Sequence, residues 1–351
     1  MSLKRMSWMI FFAAIISVLA FYPLHAYIQK PGGAYDLSPI ISVEGGDRDD
    51  TGSMSLMTVA IAKATPVTYL WAKAADDQKI LKPDQLRRPH EDDREYDFRQ
   101  LQLMSQSQFN AVYVAFHRAG KPYTISYNGI YVVNILPGGS ADGKLVAGDK
   151  IISIDSQPFN KLEELISFLG TKKVGDTISV QVESEGTTRT ETIKLRNIPD
   201  QDRVGLGIEF AEDRKISTTP AVSIETSDIG GPSAGLMFTL EIMDQLLDED
   251  LTKGYKIAGT GEMHTNGEIG RIGGIDYKIM AADRAGIEIF FAPDDELSEE
   301  IKKRVPGIMS NYEEAVKTAK KIGTKMKIVP VKTVDDALRY LDELEEKGEA
   351  K

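Results

Sequence analysis

A chain of 351 residues, 42% of them hydrophobic and 27% charged, has the balance of a globular protein and is long enough for two or three domains. Its net charge of -11 supplies no basic stripe to neutralise phosphates, which argues against nucleic acid as a partner. With no cysteine, disulfides, thiol nucleophiles and thiolate metal sites drop out together; the four histidines stand far apart in no HExxH pattern, so neither a metal nor a cofactor is expected.

At the N-terminus Lys4 and Arg5 precede an uncharged run from Met6 to Leu24, close to the ~20 residues that cross a hydrocarbon core. Trp8, Tyr22 and Tyr27 fall near its ends, where aromatic rings favour the membrane interface, and the basic pair predicts an inside N-terminus with the rest of the chain outside. A cleaved signal peptide is the alternative, since LHA before Tyr27 is a passable cleavage site; the long apolar run and the bulky aromatics near that site favour retention. Residues 1–30 are therefore expected to be a single-pass transmembrane anchor.

Residues 30–53, rich in Gly, Pro and Asp, predict a linker and an entering strand. The stretch SMSLMTVAIAKATPVTYLWAK predicts a strand and then a helix start. From Ala75 to Gln106 charges dominate, the pattern of a solvated surface, and SQFNAVYVAFHRAG then predicts a helix with Phe109, Val112 and Phe116 on one face.

Between Tyr127 and Arg196 short strands alternate with glycine turns around one amphipathic helix, NKLEELISFLG, with Leu162, Leu165, Ile166 and Leu169 facing inward; DTISVQVESEGTTRTETIKL is a hairpin. The spacing of Gly148, Asp149, Ile151, Ile154 and Asp155 in GKLVAGDKIISIDSQPF resembles a PDZ domain of the bacterial protease type, placed at residues 126–200. That resemblance implies a peptide groove formed by Asn128, Gly129, Ile130 and Tyr131 with the Asn160–Leu169 helix, in which an extended peptide pairs with the strand edge. A module that only shields its neighbour is the alternative.

From Val204 onward the pattern is α+β: a strand near AVSIE, an apolar helix after GGPSAG, a strand in YKIAGTGEM, a hairpin across HTNGEIG, and a helix from Ile275. The strands IEIFFAP and MKIVPV and a final helix capped by Thr333 follow.

Ser233 sits where the glycine loop meets the apolar helix. A serine hydroxyl is a poor nucleophile at neutral pH and needs a base, although a serine at this place can also be a plain helix cap. Gly231 lets the backbone approach a substrate closely, Pro232 suits a first helical turn, and amides at a helix start can stabilise an oxyanion. GPSAG also fits the G-x-S-x-G elbow of α/β-hydrolases, but the histidine this needs downstream could only be His264, in a polar turn. Lys278 is the other candidate base. It lies in the apolar sector of its helix with Ile275, Ile279, Ala282 and Ala285, while Asp276, Asp283 and Arg284 lie opposite; burial would lower its pKa and leave an amine able to accept the serine proton.

DIGGPSAG followed by TGEMHTNGEIGRIGGIDYK is similar to the proteolytic domain of Lon proteases. The resemblance implies a Ser233–Lys278 dyad, 45 residues apart, with Thr260 hydrogen-bonding the lysine and Asp228 as the acid of the loop. Anchor, PDZ and Lon-type domain together resemble the YlbL-like membrane proteases. The fold class this implies is α+β: a Lon-type domain (residues 201–345, with residues 31–125 giving a linker and the N-terminal part of the fold) carrying an inserted PDZ domain and an N-terminal transmembrane helix. No GxxxxGK[ST] motif occurs, so the expected activity is ATP-independent cleavage of peptides or of unfolded or membrane proteins outside the cytoplasmic membrane, with a hexamer implied by the family. A silent PDZ scaffold at the membrane is the competing reading.

Overall fold

In a computed structural model of the chain, residues 3–348 are described apart from 48–50, 90, 185, 200, 227, 228 and 248. The chain opens with helix α1 (Leu3–Phe21), whose apolar side chains are exposed. Among the described residues no helix is long and apolar enough to cross a membrane, so the expected transmembrane helix is not supported.

Strands β1 (Tyr27–Asp36), β2 (Ile41–Val43) and β3 (Ser53–Lys63) follow. Residues 30–53, expected to be a linker and an entering strand, carry most of β1 and all of β2: β1 pairs antiparallel with β3, and a bulge between Pro31 and Ala34 absorbs the Pro-Gly-Gly run. Helix α2 (Pro66–Ala74) begins where expected, with Thr65 as cap and Pro66 in the first turn. Strand β4 (Lys79–Leu81) and the short α3 (Pro83–Leu86) lead into α4 (Asp93–Arg118). The expected helix at SQFNAVYVAF is thus only the second half of a 26-residue one. Its start lies inside the charged run, where Asp92 accepts from the Glu95 amide and Glu95 returns a bond to the Asp92 amide; this capping box outweighs the polar composition.

The next unit comprises β5 (Tyr123–Ile135), β6 (Lys150–Ile154), β7 (Gln157–Pro158), α5 (Leu162–Gly170), β8 (Thr177–Ser184), β9 (Thr187–Lys194), β10 (Arg196–Asn197), β11 (Val204–Gly205) and β12 (Ile208–Thr218). Its sheet runs β12-β5-β6-β8-β9, with β7 on β6 and α5 closing a core that includes Ile130, Ile151, Leu165, Val180 and Ile193. The edge strand β12 comes from beyond residue 200, in the stretch the sequence assigned to the catalytic domain, and it pairs with β5 from Ile208 to Thr218.

The chain then returns through β13 (Val222–Ile224), α6 (Gly235–Leu246), β14 (Lys256–Gly259), β15 (Glu262–Met263), β16 (Ile269–Gly270), α7 (Ile275–Arg284), β17 (Ile289–Pro293), α8 (Glu299–Arg304), α9 (Asn311–Ile322), β18 (Lys327–Val331) and α10 (Val334–Asp342). The main sheet has the order β18-β17-β14-β3-β1-β4. Its first four strands run parallel, and β1 and β4 add antiparallel. Residues before and after the PDZ-like unit therefore build one sheet, and that unit is an insertion. Both faces of the sheet are covered: Ile257 and Phe291 pack with α4, α6 and α10, whereas Ala258 and Phe290 pack with α7 and α9. Burial on both sides explains why IFFAP in β17 is apolar without alternation.

Candidate active site

Three elements converge at the carboxyl end of β14. Helix α6 brings Ser233 at its N-terminus from one face of the sheet, α7 brings Lys278 from the other, and Thr260 is the first residue after β14. Lys278 Nζ lies 2.6 Å from Ser233 Oγ and 2.9 Å from Thr260 Oγ1. Lys278 is 3% exposed, and burial alone, with no charged neighbour contributing, lowers its pKa from 10.5 to about 7. The helical-wheel reading placed the amine on the buried face, and there it stands.

Thr260 settles the proton geometry. Its hydroxyl donates to the Ser233 carbonyl at 3.0 Å, and that carbonyl also receives the Gly261 amide at 2.9 Å. With its proton so committed, Thr260 Oγ1 can only accept from Lys278, so one amine N–H points at Thr260 and the nitrogen lone pair is free to face the serine hydroxyl.

The loop before Ser233 is held by α4. The Gly231 amide donates to the Gln100 carbonyl at 2.9 Å, and Ser107 Oγ donates to the Pro232 carbonyl at 2.9 Å. Two glycines are required here. A Cβ on Gly230 would sit 2.8 Å from Gln100 Cβ, and Gly231 adopts φ +89°, a region that other residues enter only with strain. Gly231 and Pro232, expected as supporting residues, line the same cleft as Ser233, with the Gly231 amide taken by α4 and no N–H on Pro232; Asp228 lies outside the described residues. His264 donates its backbone amide to the Glu268 carbonyl in the β15–β16 turn and belongs to no group with Ser233.

Ser233 and Lys278 open onto a cleft of about 1520 Å³ that runs along β1 and β3 as far as Tyr27 and Lys63, with Gln100 and Met104 of α4 on its opposite wall. That volume exceeds the ~1,000 Å³ upper range of small-ligand pockets and has the length for an extended chain. Among the described residues no group of three or more His, Asp or Glu side chains is placed to hold a metal ion.

The expected peptide groove moves. Ile130 pairs with Glu212 of β12 on one side and Ile151 of β6 on the other, and Tyr131 pairs with Ala211 and Lys150, so β5 has no free edge there; Asn128 and Gly129 lie at a bulge of the same inner strand. The available edge is β12. A pocket of about 510 Å³ lies between it and α5, lined by Ile166, Leu169, Leu206, Gly207, Ile208 and Phe210. Ile166, expected to face inward, is 50% exposed because it faces this groove. Gly205-Leu206-Gly207-Ile208 is the signal the sequence reading passed over: a glycine loop running straight into the edge strand.

Two stretches of the chain match known families. Residues 100–195 match the PDZ domain family, and residues 222–342 match the Lon protease (S16) C-terminal proteolytic domain. Lon protease of Mycoplasma mobile is 34% identical over 91 residues, covering 24% of this chain and 11% of that protein. Lon protease of Vibrio parahaemolyticus is 22% identical over 204 residues, covering 54% of this chain and 24% of that protein. The chain thus spans a quarter or less of the length of these relatives. Among solved structures, the PDZ domain of an SdrC-like protein from Listeria monocytogenes is 32% identical, covering 25% of this chain and 93% of that one, with a TM-score of 0.24. The chain therefore joins a stretch similar to PDZ domains to one similar to the Lon protease (S16) C-terminal proteolytic domain.

Proposed function

We propose that the protein is an ATP-independent serine endopeptidase in which Ser233 and Lys278 form the catalytic dyad. The observation that carries this is the buried, uncompensated amine of Lys278 within 2.6 Å of the serine oxygen. Ser233 Oγ attacks the peptide carbonyl carbon and its proton passes to Lys278 Nζ. When the tetrahedral intermediate collapses, the C–N bond breaks and Lys278 protonates the leaving amine. Water, deprotonated by the same amine, then releases the acyl group. Since Gly231 donates to Gln100 and Pro232 has no amide hydrogen, the Ser233 and Ala234 amides are the nearest oxyanion donors.

Peptides and unfolded or membrane proteins are the substrate class, because the cleft accepts an extended chain and no nucleotide-binding motif is present to drive unfolding. The groove between β12 and α5 captures or presents such chains by strand addition. The uncharged run from Met6 to Leu24 behind Lys4 and Arg5 holds the chain at the cytoplasmic membrane with the catalytic domain outside; this rests on the sequence, together with the exposed apolar side chains of α1.

The test is labelling of Ser233 by a serine-directed phosphonate alongside peptide hydrolysis, in the native chain and in Ser233→Ala and Lys278→Ala. Loss of labelling and hydrolysis in both variants supports the dyad. Full hydrolysis by Lys278→Ala refutes it, and a native chain that neither labels nor cleaves would leave a scaffold.

A further inference from the structure

Helix α2 carries an apolar surface that stays open to solvent among the described residues. Its inner side is closed by Ala72, which packs with Ile28 and Ala64. On its outer side Val67, Leu70 and Trp71, spaced i, i+3 and i+4, form one stripe and are 52%, 66% and 68% exposed. The helix contains no acid, and Lys73 is its one charged residue.

The place of this stripe matters. The Leu24 amide donates to the Ala64 carbonyl at 2.7 Å and the Ala64 amide to the Ala26 carbonyl at 2.8 Å, and Ala64 immediately precedes the Thr65 cap of α2. Helix α2 therefore starts at the foot of α1, where Phe21 and Tyr22 are 79% and 60% exposed. Exposed apolar side chains continue from one helix onto the other. A tryptophan among aliphatic residues, with tyrosines and a lysine at the margin, is the composition of a membrane interface. Three side chains on a two-turn helix fall well short of the ~800 Å² per partner that a stable protein interface buries.

We infer that α2 is an interfacial helix which seats the catalytic domain on the lipid bilayer, Val67, Leu70 and Trp71 entering the headgroup and upper acyl region beside α1. The inference rests on the membrane-anchored reading above and adds an orientation to it. The cleft that holds Ser233 and Lys278 is also lined by Tyr27, Ile61 and Lys63, on the paired strands that lead into α2, so one part of the cleft lies close to this helix and to the bilayer on which it would rest. Substrate segments are then those emerging from the bilayer.

The chain has two tryptophans, Trp8 in α1 and Trp71 in α2, which allows each to be read alone. Full-length Trp8→Phe is placed in phospholipid vesicles brominated either high or deep on the acyl chain, and Trp71 emission is followed. An interfacial helix lies about 5–10 Å into the headgroup boundary, so the high bromines should quench Trp71 more strongly than the deep ones. Adding Val67→Ser and Leu70→Ser should reduce that quenching by about half or more, with phosphonate labelling of Ser233 confirming the fold. Trp71→Phe reports Trp8 in the same vesicles. Quenching of Trp8 with Trp71 unquenched and open to aqueous acrylamide overturns the α2 assignment and leaves the anchor standing. Quenching of neither overturns both. Trp71 shielded from acrylamide, unquenched by bromolipid and dependent on protein concentration would assign the stripe to a second copy, and would equally overturn it.

Discussion

Titrating Lys278 tests the catalytic geometry most directly. An ordinary lysine, with pKa 10.5, is neutral in only about 0.03% of molecules at pH 7, whereas a pKa of about 7 leaves roughly half of them neutral, a gain on the order of 10³-fold in competent base. The base acts unprotonated, so kcat/KM for a short peptide should climb about tenfold per pH unit below neutrality and level off above a midpoint near 7. The same burial has a stability signature. Because the folded pKa lies below the unfolded one, the unfolded chain binds more protons between about pH 7 and 10.5, and stability rises with pH through that window. Below pH 7 the full cost of a buried ammonium is present. Lys278→Met should therefore stabilise the fold most at pH 6, by up to about 5 kcal/mol for a shift of this size, with the gain shrinking as pH approaches 10.5. Denaturant melts of both chains across pH 6–10, run beside the kinetic profile, measure it. A kinetic midpoint near 10, or a Lys278→Met gain independent of pH, refutes the account of the base.

Other substitutions separate the parts of the site. Thr260→Val removes the acceptor that turns the amine toward the serine, and should lower kcat by one to two orders of magnitude, about the ~1–3 kcal/mol of a lost buried hydrogen bond, while moving the kinetic midpoint down because an acceptor that favours the ammonium is gone. Gly230→Ala drives a methyl group to within 2.8 Å of Gln100 Cβ, and should cost about 1–3 kcal/mol of stability and a larger share of kcat, read by melts and phosphonate labelling. Ile166→Asp places a charge in the groove beside β12 and should weaken binding of a fluorescent extended peptide to the PDZ unit without slowing cleavage of a short free substrate. A substrate tethered near a vesicle surface should be cleaved about 10–100-fold faster than the same sequence free in solution, through its higher effective concentration at the cleft mouth.

The pairing of Ser233 with Lys278 was legible through the resemblance to Lon proteases rather than from local signals, since a glycine-bounded serine at a helix start reads equally as a cap and a lysine on the apolar sector of a ten-residue helix usually reaches out to water. Periodicity placed Lys278 on the apolar face of α7, and packing against the sheet buries it there. Periodicity also made the hairpin and the single helix of the PDZ unit legible, yet the groove was misplaced. Whether a strand lies inside a sheet or at its edge depends on which distant segment pairs with it, and β12 reaches β5 from more than 70 residues downstream. Nothing in the alternation of GIYVVNI marks it as an inner strand. Residues 30–53 were read as a linker and an entering strand since Pro and Gly usually end strands, but one bulge accommodates Pro31, Gly32 and Gly33 in β1.

The charged run before Gln106 shows how tertiary context can reassign a polar stretch. Its caps and charges look like solvated surface, and one side of α4 is that. Its other side meets both domains at once. Phe98 packs edge-on against Tyr131 of β5, and Arg88, just ahead of the helix, pairs with Glu209 of β12, so the helix is tied to the peptide-groove strand. From Gln100, two residues further on, to Asn110, the same helix holds the other domain: the Gln100 carbonyl and the Ser107 hydroxyl hold Gly231 and Pro232, and Asn110 donates to the Met263 carbonyl at 2.8 Å. The nucleophile loop is therefore positioned less by its own sequence than by a helix from the far side of the inserted domain. Contacts to the inserted unit and to the residues before Ser233 are thus interleaved along α4: Phe98 meets Tyr131 two residues before Gln100 holds Gly231, and Arg214 of β12 stacks on Phe109 two residues after Ser107 holds Pro232.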